Sequence, residues 1–340
     1  MEVQVDIVIL GSGISSLYLA KILEEYSVRY LIIDYEKSLG GSISLMEDLG
    51  IRYPRMPILL FEIPEKYRLY ANNCFSLENI EVLTIKEGDF LAKCLGFLDP
   101  QRFQEPWIYR WIHLVRSLHK AYLATSLVRN IVSSFKNFVN FLRASIVRID
   151  AARKVIVTHH GCIVKYRKLV STIPMDVLLN KIANLPKEIV APRIEVCQDT
   201  VGLLVLTVVR RRHSDDAPRI LIHGTKASRF VAMLLIPFDQ LSLIYVLAPF
   251  SSAYPPLPGF TEKLFSELRK FNVCKDSEVL SERTFITLYA ALSRIENLER
   301  FANDLRTLDI YVHGRCGSWR EGSVWYFMEL SERLASELAR

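Results

Sequence analysis

Val5-Asp6-Ile7-Val8-Ile9-Leu10-Gly11-Ser12-Gly13-Ile14-Ser15-Ser16 opens the chain as an apolar run, a glycine turn and the first residues of a helix. The helical pattern continues to about Tyr26, and a second apolar run, Tyr30–Ile33, ends on Asp34. Strand, glycine turn, helix, strand and acid is the order in which a parallel α/β unit holds the pyrophosphate of a dinucleotide. Gly11 permits the tight turn, and Gly13 lets the backbone approach phosphate oxygens. The helix start at Ser15 and Ser16 offers free N–H groups and the positive end of its dipole. Ser16 stands where the fingerprint has its third glycine, a position that only has to be small. Asp34, 21 residues after Gly13, is spaced to accept hydrogen bonds from a ribose diol. The competing reading is a glycine turn in an α/β protein without a ligand.

Beyond Asp34 the chain runs through Lys37 to Gly40-Gly41-Ser42. An acid, a basic residue three further on and a double glycine resemble the FAD-binding version of this fold, in the group of amine oxidases, protoporphyrinogen oxidase and UDP-galactopyranose mutase. The resemblance implies FAD, a long cofactor that a second turn at Gly41 and Ser42 must approach. Lys37 would then lie near the phosphates or the adenine, or simply be solvated. Two later stretches extend the likeness. Ser145–Asp150 and Lys154–Thr158 lead to Tyr166–Pro174, which ends Ser171-Thr172-Ile173-Pro174. In such proteins a similar strand offers its backbone to adenine, which implies an adenine contact at Ile146 and a cofactor neighbour at Thr172. Near the end, Tyr311-Val312-His313-Gly314-Arg315-Cys316-Gly317-Ser318-Trp319 is similar to the last motif of the group, with a helix expected from about Met328 to Ala339. Gly314 would approach the cofactor, and Arg315 would pair bidentately with phosphate oxygens. The helix start near Met328 would point N–H groups at the flavin pyrimidine. Cys316 reads as a small buried thiol rather than a covalent attachment point. Trp319, Trp325 and Tyr326 either wall a substrate pocket or pack.

The 340 residues, half of them hydrophobic, leave room for two domains and a large core. The six cysteines form no C-x-x-C pair and read as reduced thiols. None of the seven histidines has metal-ligand spacing, so no metal is expected. The chain enters a strand almost at once, so neither a targeting segment nor an export route is expected, and the cytoplasm is the expected location. No apolar run approaches the ~20 residues needed to span a bilayer.

The net charge of +6 is unevenly placed. No acid occurs between Glu105 and Asp150, while Arg110, Arg116, Lys120, Arg129, Lys136, Arg143 and Arg148 all do. Within Trp107–Tyr122, the residues Trp107, Trp111, Leu114, Val115, Leu118 and Tyr122 fall on one helical face. Val128, Ile131, Val132 and Phe135 continue helically, and from Phe138 a strand is equally compatible. Three readings of the basic stretch stay open. Its cations are solvated, or attract an anionic substrate, or rest on anionic lipid, which would make the protein peripheral to a membrane through residues 106–149. Nucleic-acid binding is excluded as an expectation, because no binding module accompanies the charge.

The expected fold class is α/β: a discontinuous Rossmann-type FAD-binding domain (1–70, 141–190 and 283–340) with an inserted α+β substrate domain (71–140 and 191–282). The first insert reads as mainly helical. The second has strand-like runs at Val201–Val209, Arg219–His223, Phe230–Ile236 and Leu243–Leu247, with a helix at Thr261–Phe271. The resemblance implies an oxidoreductase in which flavin exchanges a hydride with a small organic substrate, anionic or lipophilic, and an electron acceptor that the sequence does not name. Two alternatives stand: an isomerase like UDP-galactopyranose mutase working on reduced FAD, and a flavin-binding protein without turnover. Against the isomerase, Arg52–Ile58 contains no histidine, Arg320–Val324 interrupts the closing motif, and Tyr326-Phe327-Met328-Glu329 lacks its aspartate. No catalytic residues are therefore assigned.

Overall fold

Ile7 and Ile9 of strand β1 (Glu2–Leu10) pack into one core, Val8 and Leu10 into another. A strand covered on both faces reads as a continuous apolar run, which is the mark of a central parallel strand. The computed structural model, which describes residues 2–137 and 139–340, bears this out. Helix α1 (Ile14–Glu25) carries the chain back, and β2 (Tyr30–Asp34) pairs with β1 in parallel. The parallel strands run in the order β9 (Phe141–Arg143), β2, β1, β12 (Ile163–Ser171), β19 (Ile310–Val312). Chain order reverses at β1, with β2 on one side and β12 on the other. In open α/β sheets ligands bind outside the carboxyl ends of the strands at such a reversal, and Gly11 stands at that end. Strands β10 (Ile146–Asp150), β11 (Val155–Thr158) and β13 (Ile182–Ala183) extend the sheet from the first half of β12.

The second sheet has the order β18 (Val279–Leu292), β14 (Thr200–Arg211), β17 (Leu241–Phe250), β16 (Ala232–Pro237), β15 (Arg219–His223), β7 (Glu81–Lys86). It is antiparallel except where β15 meets β7. Alternation along β14 divides its side chains between two cores. Leu204, Leu206 and Val208 meet Phe260, Leu264 and Leu268 of α7 (Phe260–Lys270), on the outer face. Leu203, Val205 and Val209 face inward, with Tyr53 and with Trp111 and Ile112 of α4 (Trp107–Leu118). A hairpin of β3 (Leu45–Asp48) and β4 (Ile51–Pro54) lies on that inner side. So does a small sheet of β5 (Leu59–Leu60), β8 (Lys120–Leu123) and β6 (Phe75–Glu78). The remaining helices are α2 (Arg68–Ala71), α3 (Phe90–Cys94), α5 (Leu127–Ser133), α6 (Met175–Lys181), α8 (Leu298–Arg306), α9 (Gly314–Gly317) and α10 (Val324–Leu338).

Three expectations change. The helix read over Trp107–Tyr122 stops at Leu118, because His119 takes a left-handed conformation (φ 51°) and the chain turns into β8. Its buried face is Ile108, Trp111, Ile112 and Val115, while Leu118 is exposed and Tyr122 is a strand residue. The first insert, although its regular structure is mostly helical in α3, α4 and α5, also supplies the strands β6, β7 and β8. The boundary expected at 282/283 falls inside β18. Phe138 lies outside the described residues. The acid-free basic stretch finds partners at and beyond its ends: Arg110 with Glu105, Lys120 with Glu78, Arg148 with Asp150, and Arg116 with the Thr84 hydroxyl. Among the described residues no helix is long and apolar enough to cross a membrane.

Candidate cofactor site

The carboxyl end of β1 is shaped by what its glycines leave out. Gly11 has φ +94°, and a Cβ there would lie 2.6 Å from the Thr172 hydroxyl. Gly13 is different: a Cβ there would meet nothing within 4 Å, so this residue borders open space. Gly13 is also the N-cap of α1 and supplies no side-chain acceptor. The N–H groups of Ser15 and Ser16 therefore lack both an intrahelical and a capping partner, while that of Ile14 is directed at Gly40 by the parallel bridge between Gly13 and Gly40. The double glycine closes the other side. Gly40 (φ +107°) donates its N–H to the Ser12 carbonyl at 2.8 Å, and Gly41 packs with its Cβ position 3.4 Å from the Gly13 Cα.

Thr172 joins this end from β12, its hydroxyl 2.7 Å from that of Ser16 and 2.8 Å from the Leu10 carbonyl it donates to. Gly314 comes in from β19, where a Cβ would stand 3.2 Å from Ser15 and 3.5 Å from Thr172. Gly11, Gly13, Ser15, Ser16, Gly41, Thr172 and Gly314, far apart in sequence, are thus one locus. Asp34 belongs to it, with a job that its spacing did not reveal. One carboxylate oxygen accepts both the N–H and the hydroxyl of Ser12 at 2.7 Å, and the other accepts the Glu36 N–H at 3.1 Å. Asp34 ties the glycine turn to β2, and little acceptor capacity is left for a ribose diol.

Other expected residues stand apart. The Lys37 side chain is exposed, and so is Ser42, whose carbonyl accepts the Met56 N–H. Ile146 is half-buried at the start of β10, where the ladder shifts register before Arg148. Arg315 is engaged by protein partners. Its guanidinium donates to both Glu321 carboxylate oxygens at 2.8 and 2.6 Å, and to the carbonyls of Tyr289 and Ala290 at 2.5 and 2.9 Å. It fastens the Gly-Arg turn to the end of β18. Met328 is not at a helix start. The Ser323 hydroxyl caps α10 by accepting the Tyr326 N–H, so the helix begins at Val324. Met328 then falls in the second turn, where N–H groups bond within the helix, and its side chain is wholly buried. Cys316 packs beside Arg315, and burial pushes its thiol above the ordinary range, which suits a packed thiol rather than a nucleophile. Trp319 is buried with its N–H on the Ser293 carbonyl. Trp325 donates to the Phe61 carbonyl and stacks on Tyr67 at 5.5 Å, so both tryptophans pack.

Two further groups lie at or near the locus, neither of them a candidate from sequence. His313 is buried beneath the locus, 2.7 Å from the Ser331 hydroxyl of α10, which itself approaches the Ser15 carbonyl at 3.3 Å. Burial lowers its pKa to about 4, so the ring is neutral. Arg55, just after β4, reaches Glu36 and Ser38 in the loop before the double glycine, and lies 5.8 Å from the Phe285 ring of β18. No sequence motif marks it.

Neither a protein-family model nor a curated protein sequence matches this chain. Solved structures do. A reduced UDP-galactopyranose mutase superposes with TM-score 0.77 at 14% identity, covering 98% of this chain and 93% of that one. The chain has the fold shared by UDP-galactopyranose mutase and the amine oxidases. Cyclohexylamine oxidase from Brevibacterium oxydans IH-35A gives TM-score 0.68 at 14% identity, with 98% of each chain covered. A proposed protoporphyrinogen oxidase from Exiguobacterium sp. 255-15 gives 0.66 at 12%, covering 99% of this chain and 98% of that one. The resemblance carried by the glycine motifs is borne out as a likeness of fold.

Proposed function

We propose that this protein binds FAD and is a flavoenzyme, an oxidoreductase that exchanges a hydride with a small organic molecule. The observation that carries the reading is the open space at Gly13, bordered by the uncapped helix N–H groups of Ser15 and Ser16 and backed by Gly40 and Gly41. Those residues fit a pyrophosphate: donors converge, no side chain intrudes, and the helix dipole favours an anion. Gly11, Gly13, Ser15, Ser16, Gly41 and Gly314 would hold the phosphates and ribityl chain, with Thr172 bracing the turn and Ile146 at the adenine end. FAD, when bound, supplies a ring that accepts or gives a hydride; the protein supplies position and electrostatics.

The chain's own contribution to the reaction lies between the two sheets, the kind of position where ligand clefts form. Phe285 on the inward face of β18 lies against Arg55, and Tyr289 further along the same strand reaches the start of α6. Tyr289 donates its hydroxyl to Asp176, a buried carboxyl whose pKa burial raises. The second sheet would form the substrate domain with α4, α7 and the small sheet. A second reading, isomerisation on reduced flavin, is favoured by the higher TM-score of the mutase, 0.77 against 0.68 and 0.66.

Anaerobic absorbance titration of the purified full chain, with the cofactor released and identified, tests the proposal. Bound FAD that is reduced by an organic donor and reoxidised by an acceptor supports the oxidoreductase. Turnover of a nucleotide sugar only after chemical reduction, with no electrons consumed, replaces it with the isomerase. FAD that exchanges electrons with no donor or acceptor and supports neither reaction rejects both.

A further inference from the structure

We propose that Arg55 supplies the positive charge that meets the cofactor's pyrophosphate, exchanging its ion pair with Glu36 for the diphosphate; this rests on the FAD reading above. A pyrophosphate is dianionic, and the start of α1 offsets only part of that charge. The two cations that sequence spacing offers are differently placed. Lys37 is exposed, and the Arg315 guanidinium is held by four hydrogen bonds of 2.5–2.9 Å.

Arg55 is placed otherwise. Its N–H donates to the Ser44 carbonyl at 3.0 Å and that of Met56 to the Ser42 carbonyl at 3.1 Å, so residue 55 lies directly against the double-glycine turn. That turn backs onto Gly13. The guanidinium contacts Glu36 at 3.3 Å and the Ser38 hydroxyl at 3.4 Å, both long for a charge-assisted bond. The side chain is a quarter exposed, and these contacts engage only part of its donor set. The Phe285 ring on the opposite sheet limits how far it can swing away. In the same turn the buried Ser44 hydroxyl has no hydrogen-bond partner among the described residues. An arginine with loose bonds and spare donors, beside backbone that borders open space, can turn to a diphosphate at little cost. Glu36 competes with that diphosphate for the same guanidinium.

The two partners therefore have opposite effects on cofactor affinity, which a purely structural ion pair would not. Equilibrium FAD binding to the full chain, followed by flavin fluorescence, tests this. Arg55→Gln is expected to weaken FAD roughly ten- to hundredfold, the worth of charge-assisted bonds to phosphate. Arg55→Lys should recover part of the loss, since it restores charge without the planar fork. Glu36→Gln breaks the same ion pair and should tighten FAD roughly two- to fivefold. FAD affinity of Arg55→Gln within about twofold of wild type would overturn the proposal. So would a Glu36→Gln variant that loses FAD as badly as Arg55→Gln. Failure of the wild-type chain to bind FAD would instead defeat the FAD reading itself, before any variant is compared.

Discussion

In the parallel sheet the candidate cofactor site is made of backbone, and in the antiparallel sheet the groups on the inward face are side chains. At the end of β1, Gly11, Gly13, Gly41 and Gly314 bring main chain close and leave N–H groups beside open space, while Ser16 and Thr172 merely brace them. On the inward face of β18 the contacts belong to Arg283, paired with Asp48, to Phe285 under Arg55, and to Tyr289 on Asp176. Backbone recognises what every dinucleotide shares, and its demands on sequence are narrow. Side chains set what is particular to one substrate, and many sets can line the same sheet. The first region accordingly carries a general reading and the second a private one.

That contrast can be attacked where the two regions join. Arg315 fastens the Gly-Arg turn to the Tyr289 and Ala290 carbonyls and depends on Glu321, which is almost fully buried. Glu321→Gln leaves a buried guanidinium short of its counter-ion and should cost about 3–4 kcal/mol in denaturant unfolding. An unchanged midpoint would mean that the two sheets are not held together there.

Each sheet also holds one buried, neutral histidine with a pKa lowered to about 4: His313 under the glycine locus, by burial alone, and His223 in β15, by burial and the nearby Lys93 and Lys86. A histidine held below its ordinary value contributes stability that is present above pH ~6.5 and is lost as the pH falls toward 4. On the order of 2–3 kcal/mol should therefore disappear over that window for His313. His313→Gln should flatten the decline and His223→Gln should flatten it separately. A pH profile unaffected by either variant would show that acid acts through other groups.

A smaller effect separates two jobs for Asp34. Because its carboxylate ties down Ser12, Asp34→Ala should weaken FAD and FMN alike, by roughly tenfold, since each lost hydrogen bond to a charged group is worth about that much. A loss confined to FAD would restore the ribose diol as its partner. The smallest effect is expected on the basic stretch, where several cations already have partners and Arg129 and Lys136 are exposed. Reversing both charges should change stability by under about 0.5 kcal/mol. Co-sedimentation with anionic vesicles that disappears with the reversal would instead establish a membrane face.

The glycine locus was legible because its constraints are local. A tight turn, a close approach and a helix start all have to be written in adjacent residues, and Gly11–Ser16, Gly40-Gly41 and Thr172 each carry their own mark. Strands β14 to β17 were legible for a similar reason, being long apolar runs between turns. What was lost depends on pairing. Nothing before His119 announces that α4 stops there, because the stop is set by β8 finding β6. The early start of α10 could have been read from Ser323, a good cap, but the apolar Val324–Phe327 gave no sign of an exposed first turn. Arg315 looked free because its partner, Glu321, lies beyond the motif. Arg55 was invisible because only the backbone bonds to Ser42 and Ser44 bring it to the glycine turn.

The central claim is that the space at Gly13 holds the pyrophosphate of FAD. FAD binding to the full chain, measured side by side for wild type and Gly13→Val, tests it most directly. A Cβ at Gly13 meets nothing within 4 Å, so the variant should fold and melt like wild type while retaining no FAD. Wild-type affinity in a folded Gly13→Val protein, or no FAD bound by either, would contradict the account.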